Sequence, residues 1–313
     1  MQFPKSLFIV IALLVGIPFV VSNYWVFLFT EVLILALFAT SFNLLLGYTG
    51  LVSFGQAAFY AVGAYATALI LKHMSTSLWA ALGGGVLAAF ILSLLIGILC
   101  VRLTALYFAM LTMAFSSMIY AIIFQWRSLT GGDDGIPGII RPSLEFLGGA
   151  ALSLNDTRTY YYFVMVVVLL SLWVLKKIVD SPLGYILRSI RDNSKRAQFV
   201  GIPIKQFRLI AFSIAGFFSG LAGSLYALLA GIVSPELAFW SKSGDPVIMS
   251  LLGGFHNFLG PALGAAIYTI LKSFIATKTE NWILYLGIVL LIMVLVLPEG
   301  VTGAWQKLRG KSD

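Results

Sequence analysis

The chain has 313 residues, of which 60% are hydrophobic and 10% charged, with a net charge of +8. Its mean hydropathy of +0.99 excludes a water-soluble globule, because there is too little polar side chain to cover so much apolar surface. The apolar runs are continuous rather than alternating, which excludes a transmembrane β-barrel and leaves a polytopic α-helical protein with the bilayer as its solvent.

A helix needs about 20 apolar residues to cross the hydrocarbon core. On that criterion spans are predicted at 6–22, 25–46, 51–71, 78–101, 104–124, 160–179, 207–231, 259–277 and 282–298. The first has one lysine before an apolar run but no small-x-small site after Val21, so it reads as an uncleaved span rather than a signal peptide. A tenth stretch, 246–257, is short and broken by glycine; it reads as a half-helix, a tilted span or a re-entrant hairpin. The predicted fold class is an all-α polytopic membrane protein of about ten transmembrane helices, including broken or re-entrant segments.

Lysine and arginine mark the cytoplasmic side. Residues 176–208 hold eight basic against two acidic residues, whereas 126–159 hold three basic against four acidic. The first segment is therefore expected inside and the second outside. Counting outward through the spans places both termini in the cytoplasm, provided that 246–257 crosses. Trp25, Trp126, Tyr160 to Tyr162, Trp282 and Trp305 fall where an interfacial aromatic belt is expected. In this setting the positive charge reads as membrane anchoring, not as nucleic-acid binding.

Little in the chain suggests chemistry of its own. Cys100 is the one cysteine, which excludes an internal disulfide, and His73 and His256 are far apart with no acidic or thiol cluster, so no metal site is expected. No phosphate-binding loop is present: the Gly310-Lys311-Ser312 tail lacks the preceding glycine, since Trp305 stands there. Ionisable residues near the spans are few: Glu31, Glu236 and Asp245. Such residues are costly in a bilayer and mark ion paths, so an ion-coupled secondary transporter stays open on Glu31 or Asp245. The other reading borrows a motor from a partner.

Four glycine-rich or loop segments could serve such a machine. Gly47, Gly50, Gly55 and Gly63 with the alanines between them permit close helix packing, or a break in a pore-facing helix where Ser53 and Gln56 offer polar contacts beside Phe59. Gly131, Gly132, Asp133, Asp134 and Gly135 form either a plain external turn or a gate and contact surface; the calcium-loop spacing is not met. Gly244 to Gly264 echoes the first break and reads as a weak internal repeat. Between spans, Ser181 can cap a helix with Pro182 in its first turn. Leu183, Ile186, Leu187 and Ile190 then form an apolar face opposite Arg188, Arg191 and Asp192, and Gly201 can end a second short helix begun near Asn193. This pair suits docking on a partner, or a solvated basic anchor.

These stretches resemble the branched-chain amino acid ABC transporter permease family. Ser181, Pro182, Gly184, Ile190, Arg191, Asp192, Asn193, Ala197, Gly201 and Ile202 match its cytoplasmic coupling loop. Residues 43–65, 129–139 and 252–265 and Pro298 to Gly300 are similar to its other signatures. Ser194, Lys195, Arg196 and His256 depart from its pattern. The resemblance implies one permease domain over 1–313 in a bacterial inner membrane, with coupling loop 181–206 and external loop 126–159. It also implies a homologous second permease subunit, two cytoplasmic ATPase subunits carrying ATP and Mg, and a periplasmic solute-binding protein. The chain itself would hold no cofactor and catalyse nothing covalent.

Overall fold

The computed structural model describes residues 14–74, 77–103, 105–145, 151–297 and 300–303. The start of the first predicted span, the basic tail with Trp305, and the Gly310-Lys311-Ser312 sequence lie outside the described residues. A helical run at 14–20 leads into α1 (Asn23–Thr49), which is followed by α2 (Gln56–His73), α3 (Leu78–Cys100), α4 (Ala105–Gln125) and α5 (Thr157–Val179). Then come α6 (Pro182–Asp192), α7 (Ser194–Phe199), α8 (Ile204–Ala230), α9 (Gly244–Gly253), α10 (Gly260–Ala276) and α11 (Trp282–Val296). Each of the ten apolar stretches thus carries a helix. Among the described residues five of these helices, α1, α3, α4, α5 and α8, are long and apolar enough to cross a membrane. The chain is an all-α polytopic membrane protein.

The core is built on small residues. A Cβ on Gly63 would overlap the backbone of Gly220, and one on Gly223 would overlap the Tyr60 carbonyl, so α2 and α8 run almost backbone to backbone. Gly85 of α3 closes on Thr67, Ser224 and the Gly63 carbonyl in the same way. With little hydrophobic drive between helices in lipid, close backbone approach and interhelical hydrogen bonds hold such a trio together. Ser224 Oγ donates to Gly63 O at 3.1 Å, and Ser219 Oγ donates to Gln56 Oε1 at 2.7 Å. Around this trio α1 packs against α5, α8 and α10.

Two of the crossings are interrupted. α1 ends where Gly50 takes a left-handed φ of 70° and its N–H reaches Leu45 O. Residues 50–55 are not helical, and α2 starts only at Gln56. Its first turn is level with the interior of α4, since Phe54 N donates to Thr112 Oγ1 at 3.1 Å. The second interruption follows α8. Strand β2 (Ile232–Val233) pairs antiparallel with β1 (Ile136–Pro137), and the chain then descends as two 3₁₀ turns, Pro235–Ala238 and Trp240–Ser243, into α9. α9 has 10 residues. It therefore rises about 15 Å, half of a ~30 Å hydrocarbon core.

α9 ends beside Asn43 and Gly47, at the end of the molecule that bears the basic loop: Asn43 Nδ2 donates to Phe255 O at 3.1 Å. α10 then runs back until Ser273 meets Tyr24 at the far end, 2.7 Å between hydroxyls. α11 returns, and Thr302 Oγ1 donates to Gly253 O at 2.6 Å. The segment from 232 to 254 therefore traverses the protein as an irregular half followed by a half-helix, and it does not re-enter on the side it came from.

One smaller expectation needs correction. Tyr160 and Tyr161 are buried rather than interfacial. Tyr160 Oη donates to Leu225 O at 2.6 Å, beneath the guanidinium of Arg141 at 4.4 Å. Trp25 and Trp126 are exposed, as an interfacial belt requires.

Candidate functional site

The loop between α5 and α8 folds as two short helices set at an angle by Asn193, whose backbone is extended at φ −159°. Asn193 Oδ1 accepts from Arg196 N at 2.9 Å and so caps α7. Ser181 does not cap α6; its hydroxyl instead donates to Ile178 O at 2.6 Å, in the turn that ends α5. Pro182 occupies the first turn of α6, as its fixed φ favours. Gly184 sits where a Cβ would overlap Val179 O, which lets α6 lie flat against the end of α5. Gly201 takes φ +90° and Ile202 N returns to Ala197 O at 3.1 Å, so the pair ends at a left-handed glycine. Ala197 is buried beneath it.

Arg191 joins this loop to the transmembrane body. Its Nη1 donates to Gly47 O at 2.6 Å, and its Nε to Asp192 Oδ1 at 3.1 Å. Its side chain also covers Gly50, where the α1–α2 break begins. The Phe255 carbonyl lies against Gly47 on the opposite face. The loop thus touches the first break directly and the turn after α9 through one residue. Arg188 donates to Val179 O at 3.2 Å and lies over the rings of Tyr48 and Tyr185.

The apolar face of α6 is partly used within the chain. Leu187 and Ile190 turn inward and are buried on the chain itself. The apolar groups presented outward are Tyr185 at 61%, Val200 at 78% and Phe199 at 91% exposure, flanked by exposed Lys195 and Arg196. Sequence reading missed all three. Their signal was an aromatic and a valine next to the terminal glycine of a helix, where nothing local can cover them. Ser194 is not inert either: its hydroxyl accepts from Arg208 Nη2 at 3.2 Å and donates to Ile190 O at 2.7 Å.

The two interruptions converge inside the protein. Ala57 N donates to Ser243 Oγ at 2.9 Å, so the starts of α2 and α9 meet. Ser53, Gly55, Gln56 and Phe59 lie around this junction, and Ser53, Gln56 and Phe59 have no exposed surface in this chain. Gln56 Nε2 is buried without a hydrogen-bond partner among the described residues. Next to the junction, and unnoticed in the sequence, Lys242 Nζ lies 2.6 Å from Asp245 Oδ2, while Tyr268 Oη donates to Asp245 Oδ1 at 2.8 Å. Glu31 is within electrostatic range of Lys242 and Tyr268. Asp245 is therefore a charge-paired carboxylate in a hydrogen-bonded cluster.

At the far end Gly131, Gly132 and Gly135 all take positive φ, from 63° to 80°. A Cβ on Gly135 would overlap the Val233 carbonyl, and one on Gly131 would overlap that of Gly135. Asp133 and Asp134 stay exposed at the tip. Through the β1–β2 ladder this loop is fastened to the segment that descends into α9, and Arg141 ties its far side to Leu228 O and Leu229 O at 2.8 and 3.0 Å. Burial depresses the Arg141 guanidinium below its usual range, which the Tyr160 and Asp156 side chains partly offset.

The decisive comparison concerns residues 24–297, which match the model of the permease component of branched-chain amino acid transport systems. The chain belongs to that family. Its relatives include the high-affinity branched-chain amino acid transport system permease protein LivM of Escherichia coli, 28% identical over 95% of this chain and 75% of that one. They also include the probable branched-chain amino acid permease LivM of Methanocaldococcus jannaschii, 24% identical over 83% and 88%. The permease LivH of Escherichia coli is 22% identical over 86% and 91%. No solved structure matches. Membership makes the chain a transporter subunit in a multi-pass membrane assembly.

Proposed function

We propose that this chain is the transmembrane permease subunit of an ABC importer for branched-chain amino acids, driven by ATPase subunits docked on α6 and α7. The observation that carries the reading is the joint between loop and membrane: Arg191 holds the Gly47 carbonyl, while Phe199 and Val200 stand out unsupported on the other side. Exposed apolar side chains of this size on a polar loop mark a contact surface. Displacement of the loop by a nucleotide-driven partner would pull on the end of α1 and on the turn after α9 together. Both broken crossings would then tilt, opening the protein to one side and closing it to the other.

In this reading the basic end faces the cytoplasm and the loop at Gly131 to Gly135 receives a periplasmic solute-binding protein. The chain holds no nucleotide; ATP and Mg belong to the partners. A second, homologous permease completes the pathway, as the likeness to both LivM and LivH supports. The test is gentle purification from the native membrane followed by mass spectrometry. Two P-loop ATPases and a second permease of similar size are expected to come with it. A chain that purifies only as copies of itself would end the ATP-driven reading.

A narrower prediction addresses the docking surface. Phe199→Asp should release the ATPases, lowering their co-purified amount about tenfold or more, as expected when an aromatic anchor worth at least ~2 kcal/mol is lost. The melting temperature of the permease itself should stay unchanged, because Phe199 contributes nothing to the chain's own core.

A further inference from the structure

The segment from Glu236 to Asp245 raises a physical question that the coupling mechanism leaves open. As far as Ser243 it is short 3₁₀ turns rather than α-helix, with incomplete backbone pairing at membrane depth. Ala238 O accepts from Ser116 Oγ, in the middle of α4, at 3.0 Å, and Ser243 meets the start of α2. Backbone of this kind cannot face lipid, since each unsatisfied peptide group in hydrocarbon costs several kcal/mol; it must be buried in protein or line water. Yet Phe239 and Trp240 are each 39% exposed, and Ser241 is exposed beside them. A lipid-facing surface on the same molecule looks different: α3 presents Leu87, Ile91, Leu95 and Ile98 outward from unbroken helix.

The chemistry on this face is also specific. An ammonium and a carboxylate, Lys242 and Asp245, lie 2.6 Å apart with side chains 22% and 15% exposed. Tyr268 fixes the carboxylate from behind. Next to the pair the Phe239 and Trp240 rings are 5.9 Å apart and offer apolar surface, with Tyr120 packed edge-on to Phe239 at 5.2 Å. An α-amino acid carries the complementary set: a carboxylate, an ammonium and a side chain.

We infer that the segment Glu236 to Asp245 lines the water-filled translocation pathway and forms a transient site for the substrate's zwitterion, with its carboxylate at Lys242, its ammonium at Asp245 and its branched side chain against Phe239 and Trp240. When no substrate is present the two groups pair with each other, so the pathway holds no uncompensated charge in either state. The exchange of partners keeps binding weak, as passage through a pathway requires. This inference rests on the proposed transport of branched-chain amino acids.

The test uses the whole complex in proteoliposomes, with the binding protein and ATPases, in a Cys100→Ala background. Ser241→Cys and Ile91→Cys are treated with a charged, membrane-impermeant methanethiosulfonate, and modification of this chain is followed by mass spectrometry. Ser241→Cys should react at least roughly 100-fold faster than Ile91→Cys, because only a water-exposed thiol forms the reactive thiolate. Leucine delivered with its binding protein should slow that reaction several-fold. If Ser241→Cys is as inert as Ile91→Cys in every nucleotide state, the segment lines no water and the inference is overturned. If it reacts but leucine does not protect it, the zwitterion site is overturned. Should Ser241→Cys fail to assemble, Trp240→Cys asks the same question. A wild-type complex that takes up no leucine would instead refute the transport reading, while the labelling contrast still decides what the segment faces.

Discussion

Arg191→Ala is expected to cut leucine uptake per ATP hydrolysed about 10- to 100-fold while the complex stays folded. The magnitude follows from the contact that is lost. The Arg191 guanidinium donates to Gly47 O at 2.6 Å. A hydrogen bond from a charged donor is worth about 1.5–3 kcal/mol, and each ~1.4 kcal/mol of coupling is a factor of ten in rate. Gly47 lies in the last turn of α1, whose terminal carbonyls lack helical partners and favour a cation. The neighbouring Arg191–Asp192 pair, with Asp192 66% exposed, adds little. Arg191→Lys keeps the charge but not the fork and should fall between the two. The measurement is uptake against ATP hydrolysis in proteoliposomes, with a melting curve for each variant. Normal uptake by Arg191→Ala in an intact complex would show that the loop drives the membrane body by another route.

Gly223→Leu should prevent assembly altogether. A side chain there meets the Tyr60 carbonyl, which is helix backbone and cannot turn aside. Overpacking a tight core costs typically about 1–3 kcal/mol even when neighbours can relax. Here the only relief is to part α2 from α8, which also breaks Ser224 to Gly63 O and Ser219 to Gln56. The yield of monodisperse protein in detergent should drop to near nothing. Gly83→Leu on α3 is the control: no atom lies within 4 Å of its Cβ position, so yield and melting temperature should match wild type. Equal yields of the two variants would mean that the α2–α8 contact is looser than described.

Much of the architecture was legible in the chain, for reasons that can be named. Apolar runs of bilayer length located the helices, since in hydrocarbon the backbone must satisfy itself. Gly50 and Gly201 announced their turns, because a left-handed residue without glycine is strained. Pro182 and Asn193 marked helix starts through fixed φ and a capping amide. What the sequence could not decide was which neighbour covers each face. Leu187 and Ile190 have helical spacing whether they meet a partner or the chain's own α5 end, and only the fold turned them inward and left Phe199 outside. Gln56 and Ser53 stood out as polar groups in an apolar stretch, but that Ser219, 163 positions away, binds Gln56 could not be read from the chain. Lys242 gave no signal until Asp245 and Tyr268 were seen around it. Local rules of backbone geometry and hydropathy act within one helix and are written in consecutive residues. Burial, charge pairing and the meeting of the two broken crossings at Ala57 and Ser243 depend on residues far apart in the chain, and those only the tertiary structure brings together.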